Sequence, residues 1–104
     1  MEIHWSGMGS FGEAERRAVE SRPRWLEEGH RDLVDLRITG HESRHHRHGD
    51  REVRIACQAR GEELVVGRNA AELEIAVREA LDAFERSVRR MRDKRRDRRR
   101  PVRE

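Results

Sequence analysis

Between Leu73 and Met91 the apolar residues recur at steps of three and four: Leu73, Ala76, Val77, Ala80, Leu81, Phe84, Val88 and Met91. That period holds one stripe of an α-helix against a core, and no strand can satisfy it. One long amphipathic helix is therefore expected from Asn69 to about Arg100. Asn69 is placed to cap it, with Glu72 three residues on to reach back as in a capping box. Acids crowd the first half of this helix (Glu72, Glu74, Glu79, Asp82, Glu85) and bases the second. From Arg86 to Glu104 there are eleven Arg/Lys and three acids, a local net charge of +8. Residues 1–85 hold the other thirteen bases and eighteen acids, a net of −5, so the two parts sum to +3.

The stripe needs a surface to lie on, and the rest of the chain alternates as strands do. Ile3 and Trp5 share one side of Glu2–Ser6, a short strand ended by Gly7. Ser10 with Glu13 is a Ser-x-x-Glu start signal for a helix from about Phe11 to Glu28. Its expected apolar face is Phe11, Ala14, Ala18, Trp25 and Leu26, with Val19 beside it. Pro23 removes a backbone donor and predicts a kink near Val19 or an early stop. Val34, Leu36 and Ile38 alternate with Asp35, Arg37 and Thr39 in a second strand ended by Gly40. His41 to Arg51 has almost no apolar content and reads as a loop. Val53, Ile55, Cys57 and Ala59 form the inward side of a third strand, Glu52–Arg60. Gly61-Glu62 is a tight turn into a fourth, Glu63–Gly67.

The order β-α-β-β-β-α predicts an α+β fold. The strand–helix–strand crossover makes the first two strands parallel and the hairpins make the rest antiparallel. Each strand has one apolar side, so both helices are expected on a single face of a four-stranded sheet. Residues 1–92 read as the folded domain and 93–104 as a basic extension of the last helix.

With 104 residues, 34% apolar and 43% charged, the chain has room for one small domain with a thin core. No apolar run approaches the roughly 20 residues of a membrane span. The N-terminus shows no basic leader followed by an apolar block, and a lone cysteine fits a reducing compartment, so a cytoplasmic protein is expected. Cys57 falls on the apolar side of a strand with no base placed beside it, and no Gly-rich phosphate loop occurs, so no catalysis and no cofactor are expected.

Two segments remain for function. Beyond Met91 the bases go all round the helix, so no core contact holds that end; either it stands solvated or a polyanion orders it. Arg outnumbers Lys ten to one there, and guanidinium forks suit phosphate oxygens. Nucleic acid is the favoured partner. No zinc-finger or helix-turn-helix spacing is present, and the four aromatic residues all fall at expected core positions. Recognition is therefore expected through phosphates and the shape of a folded RNA. The second segment is the cluster His41, His45, His46 and His48. Zinc could use three of these with Glu42 or Asp50, but the spacing fits no closed site and Arg44, Arg47 and Arg51 would repel a cation. A solvated loop is the favoured reading, and no metal is assigned.

Several segments together resemble the ribosome hibernation-promoting factors, also described as ribosome-associated inhibitors or subunit-interface proteins. Met1-Glu-Ile-His-Trp-Ser-Gly7 is similar to the family's first strand. The strand–turn–strand pair from Glu52 to Gly67 fits its third and fourth strands. Asn69 onward looks like its closing helix, in which an apolar pattern leads into alternating bases. The chain departs from the pattern at Pro23, in an acid-rich first helix, and in the His- and Arg-rich loop. The resemblance implies binding to the small ribosomal subunit in the channel used by mRNA and the A- and P-site tRNAs, which would inhibit translation and preserve idle ribosomes under stress or in stationary phase. It implies that Arg86, Arg89, Arg90, Arg92, Lys94, Arg95, Arg96 and Arg99 contact rRNA phosphates, with Arg22 and Arg24 as weaker candidates. It further implies a short form, monomeric off the ribosome, that would need a separate factor to pair ribosomes. A general nucleic-acid-binding or ribosome-assembly protein is the alternative.

Overall fold

The computed structural model describes residues 1–7, 11–42 and 51–99, the side chains of Arg98 and Arg99 excepted. Six elements follow in the order β1 (Glu2–Gly7), α1 (Glu13–Glu27), β2 (Leu33–Glu42), β3 (Arg51–Ala59), β4 (Glu62–Ala70) and α2 (Leu73–Arg99). The strands form one sheet in the order β1-β2-β3-β4. β1 and β2 are parallel, with Ile3 beside Leu36 and Trp5 beside Ile38. β2, β3 and β4 are antiparallel, and Ile55 sits between Ile38 and Val66. This is the expected α+β, β-α-β-β-β-α arrangement. Among the described residues no helix is long and apolar enough to cross a membrane.

Alternation sorts the sheet into two faces. Leu36, Ile38, Val53, Ile55 and Cys57 are fully buried under the helices, while His4, Arg37, Arg54 and Gln58 are exposed on the open side. α2 lays Ala76, Val77, Ala80, Leu81, Phe84, Val88 and Met91 into that core, so the helix is held along some four turns. Covering an apolar side chain of this size contributes about 1.5–3 kcal/mol each, which makes the stripe the main anchor of the fold.

Five expectations change. Asn69 does not cap α2. It lies in β4 opposite Glu52, because the strand extends through Ala70, and Glu72 takes the cap position with its carbonyl accepting from the Ala76 N–H at 3.1 Å. Val34 is exposed, since the register with β3 shifts between Leu33 and Asp35 and Leu33 takes the inward place. The β3–β4 turn is Arg60-Gly61, not Gly61-Glu62: Ala59 pairs with Glu62, and Gly61 has φ +87°, a conformation that favours glycine. α1 runs through Pro23 to Glu27 rather than stopping, and the proline ring is buried, which offsets the missing bond to the Val19 carbonyl.

The fifth change concerns Trp25, which is 68% exposed rather than in the core. The stripe of α1 is Val19, Pro23 and Leu26, and Ala14, also expected on the apolar face, is exposed. At about 100° per residue Trp25 stands roughly 120° from Val19, off that stripe. Leaving Pro23 out of the stripe is what misplaced the indole. The Ser10 start signal and most of the His41–Arg51 loop lie outside the described residues; His41 and Glu42 belong to β2 and Arg51 to β3.

Candidate nucleic-acid interface

The ten basic residues expected to form one surface fall into two groups. In the first are Arg86, Arg89, Arg90, Lys94 and Arg96, all exposed on α2. Behind them Phe84, Val88 and Met91 fix the helix to the core, so their backbone positions are set by packing and not by a ligand. Among the described residues Arg86, Arg89, Arg90 and Lys94 have no ion-pair partner. Arg96 reaches Asp93 at 3.0 Å, an exposed pair of small energetic weight. The side chain of Arg99 lies outside the described residues. Cations at a helix C-terminus also suit the partial negative charge that the aligned peptide dipoles leave there.

The second group is tied inward. Arg92 forms a two-pronged ion pair with Asp32, Nε to Oδ2 at 2.8 Å and Nη2 to Oδ1 at 2.7 Å, and donates to the Leu26 carbonyl at 2.9 Å. Both partners are mostly buried. The guanidinium hydrogen bonds hold the Asp32 carboxyl below its ordinary pKa, against burial, which pushes it up. Arg22 bridges α1 to α2, with Asp82 at 2.7 Å and Glu85 at 2.9 Å. Burial lowers its pKa and the two carboxylates raise it; the carboxylates prevail. Arg95 donates to the Arg60 carbonyl and stands 3.9 Å from Glu62. Arg24 donates to the Met1 carbonyl at 3.1 Å.

Helix geometry explains part of this division. Measured from Leu73, Arg95 projects at about 40°, close to the stripe, and Arg92 at about 100°, on its flank, whereas Arg86 and Arg89 lie at about 220° and 160°. The partners themselves are remote: Arg92 and Asp32 are 60 residues apart, as are Arg22 and Asp82.

A charged cleft of about 690 Å³, which the sequence did not reveal, opens where the α1–β2 loop, the β3–β4 turn and α2 meet. Arg31 and Arg60 enter it beside Arg92, Arg95 and Arg96, with Asp32 and Asp93 already engaged by Arg92 and Arg96. The only signal for Arg31 is its neighbour Gly29, whose φ of +81° closes α1 and turns the chain back.

Other chemistry is poorly supported. His4 lies 2.9 Å from Asp35 and 3.4 Å from Glu2 on the open face of the sheet, with one ligand atom of each within 4.8 Å of the others; Glu2 and His4 are exposed and Asp35 is partly buried. Exposed carboxylates gather round a histidine without a metal, and the trio stands apart from the histidine-rich loop, of which His45, His46 and His48 lie outside the described residues. Cys57 is fully buried, and burial together with the nearby Asp35, Asp32 and Glu27 charges pushes its thiol up to about 12. It carries no thiolate at neutral pH.

No protein-family model matches the chain, and no curated protein matches it. Solved structures do match in shape. One is a ribosomal subunit interface protein from Coxiella burnetii, with a TM-score of 0.71 and 14% identity, covering 89% of this chain and 99% of that one. Another is the N-terminal domain of Protein Y from Thermus thermophilus, with a TM-score of 0.67 and 19% identity over 86% of this chain and 94% of that domain. The likeness establishes a shared fold.

Proposed function

We propose that this protein is a ribosome hibernation factor. It binds the small ribosomal subunit in the cytoplasm and inhibits translation by occupying the channel of mRNA and the A- and P-site tRNAs. The observation that carries this reading is the row Arg86, Arg89, Arg90 and Lys94. These are exposed cations without described partners on a helix locked by Phe84, Val88 and Met91, in a fold shared with a protein described as a ribosomal subunit interface protein. Such a row is preorganised for rRNA phosphates, since binding does not have to order the helix backbone first. Arg96 extends it, and Arg99 is a further proposed phosphate contact. Arg22 and Arg92 enter as struts that hold the row in place.

Sucrose-gradient sedimentation with small subunits and whole ribosomes, at low and moderate salt, tests the reading. Co-migration with the small subunit, competed by initiator tRNA, is the expected result. Four phosphate contacts would give a log–log salt slope of roughly −3. Protein remaining at the top of the gradient at both salts would refute a ribosomal role and leave a general nucleic-acid binder.

A further inference from the structure

Trp25 stands 68% exposed at the end of α1. It lines a recess of about 570 Å³ with Arg24 and Arg31, and Arg31 also lines the larger cleft beside Arg60. An indole in water next to an arginine with no ion-pair partner among the described residues, here Arg31, is the arrangement by which single-stranded nucleic acid is held: base on ring, phosphate on arginine. We propose that Trp25, Arg31 and Arg60 form a subsite for one unpaired ribonucleotide. Its base stacks on the indole and its phosphate sits between the two guanidiniums.

Three observations support this assignment. First, the scaffold is tied together. The Arg60 N–H donates to the Asp32 carbonyl at 2.9 Å, Arg95 grips the Arg60 carbonyl, and Arg92 forks onto the Asp32 carboxylate. Both loops are thereby held to α2 without using the side chains of Arg31 or Arg60. Second, Arg31 adopts φ +54°, a left-handed conformation that glycine or asparagine would enter more cheaply. The turn that imposes it is held by the His30 and Arg31 N–H groups, both donating to the Glu27 carbonyl. A long cation kept there at a conformational cost is consistent with a role for its side chain. Third, the nearby acids are largely spent: Asp32 on Arg92, Asp93 on Arg96, and Glu27 on the N-terminal ammonium at 3.7 Å. Glu28 stays exposed at the rim.

The inference rests on the RNA-binding reading but turns on Trp25, Arg31 and Arg60, none of which belongs to the α2 row, so the two can fail separately. The test is a fluorescence titration of the whole protein with hexauridylate and with a blunt-ended RNA duplex. Hexauridylate should quench the tryptophan emission and the duplex should not. Trp25→Ala should abolish the quench and weaken hexauridylate binding roughly tenfold, and Trp25→Phe should retain most of the affinity. Arg31→Ser with Arg60→Ser should weaken it to a similar degree and flatten the salt slope by about 0.7 for the phosphate released. Absence of quenching in the parent protein, or unchanged affinity in Trp25→Ala, would overturn the subsite. If the parent sediments with small subunits and shows no quench, the subsite falls and the hibernation reading stands. If it binds hexauridylate through Trp25 and never sediments with ribosomes, the reverse holds.

Discussion

Arg89 and Arg92 are three residues apart on the same helix, yet they belong to different parts of the molecule's physics. Arg89 projects away from the stripe into water with no partner among the described residues. Arg92 lies on the flank of the stripe and is consumed by Asp32 and the Leu26 carbonyl. An arginine count treats them alike. Internal pairing gives Arg92 and Arg22 carboxylate partners of their own, which Arg89 lacks among the described residues. A cationic helix is thus partly structural: one set of guanidiniums fixes the helix so that the other set is presented at fixed spacing.

Charge reversal on the exposed set carries the largest expected effect. Arg86→Glu, Arg89→Glu and Arg90→Glu together should reduce co-sedimentation with small subunits more than about 100-fold, or roughly 2.7 kcal/mol. The melting temperature should stay within a few degrees, because none of the three touches the core. Retained binding would place the interface elsewhere. The opposite signature belongs to the struts. Asp32→Ala leaves Arg92 without its carboxylate and should cost about 2 kcal/mol, less than the roughly 3–5 for a fully buried pair. Thermal unfolding should show this as a fall of about 10 °C, using the usual scaling for a domain of this size. Arg22→Ala should cost about 1 kcal/mol, since its two acidic partners on α2 stay partly solvated.

Acid titration sharpens the same contrast. The folded Asp32 carboxyl has a pKa below its ordinary value of about 4. Its contribution to stability is therefore complete above about pH 5 and is lost as the pH falls through the folded value. Parent protein and Asp32→Asn should therefore differ in stability near neutrality and converge in acid, as followed by thermal melts between about pH 6 and pH 2. A constant difference across that range would separate Asp32 from any acid-linked pairing. The smallest effect is expected at Trp25: Trp25→Ala should change stability by less than about 0.5 kcal/mol, because the indole is on the surface. A larger loss would mean that the ring supports the fold.

The architecture was legible because two short-range periods encode it. Steps of three and four from Leu73 to Met91 can only be satisfied by a helix against a core. The alternation in Ile3–Trp5, Leu36–Ile38 and Val53–Ala59 can only be satisfied by strands covered on one side. Crossover and hairpin lengths then determined which pairs run parallel. Element ends were less legible. Asn69 carries a capping side chain, but backbone pairing with β3 outweighed it, and the bulge at Leu33–Asp35 exposed Val34 through a register that no local pattern records. The candidate site was legible in part, for the sequence located the cationic half of α2 and the direction of Arg86, Arg89 and Arg90. Which cations remain free depended on Asp32, Asp82 and Glu85 arriving from elsewhere in the chain, and the cleft of Arg31 and Arg60 depended on two loops meeting beside α2. Periodicity acts over a few residues and is written in the chain. Ion pairs and clefts join residues some 60 positions apart, and only the packed structure brings those together.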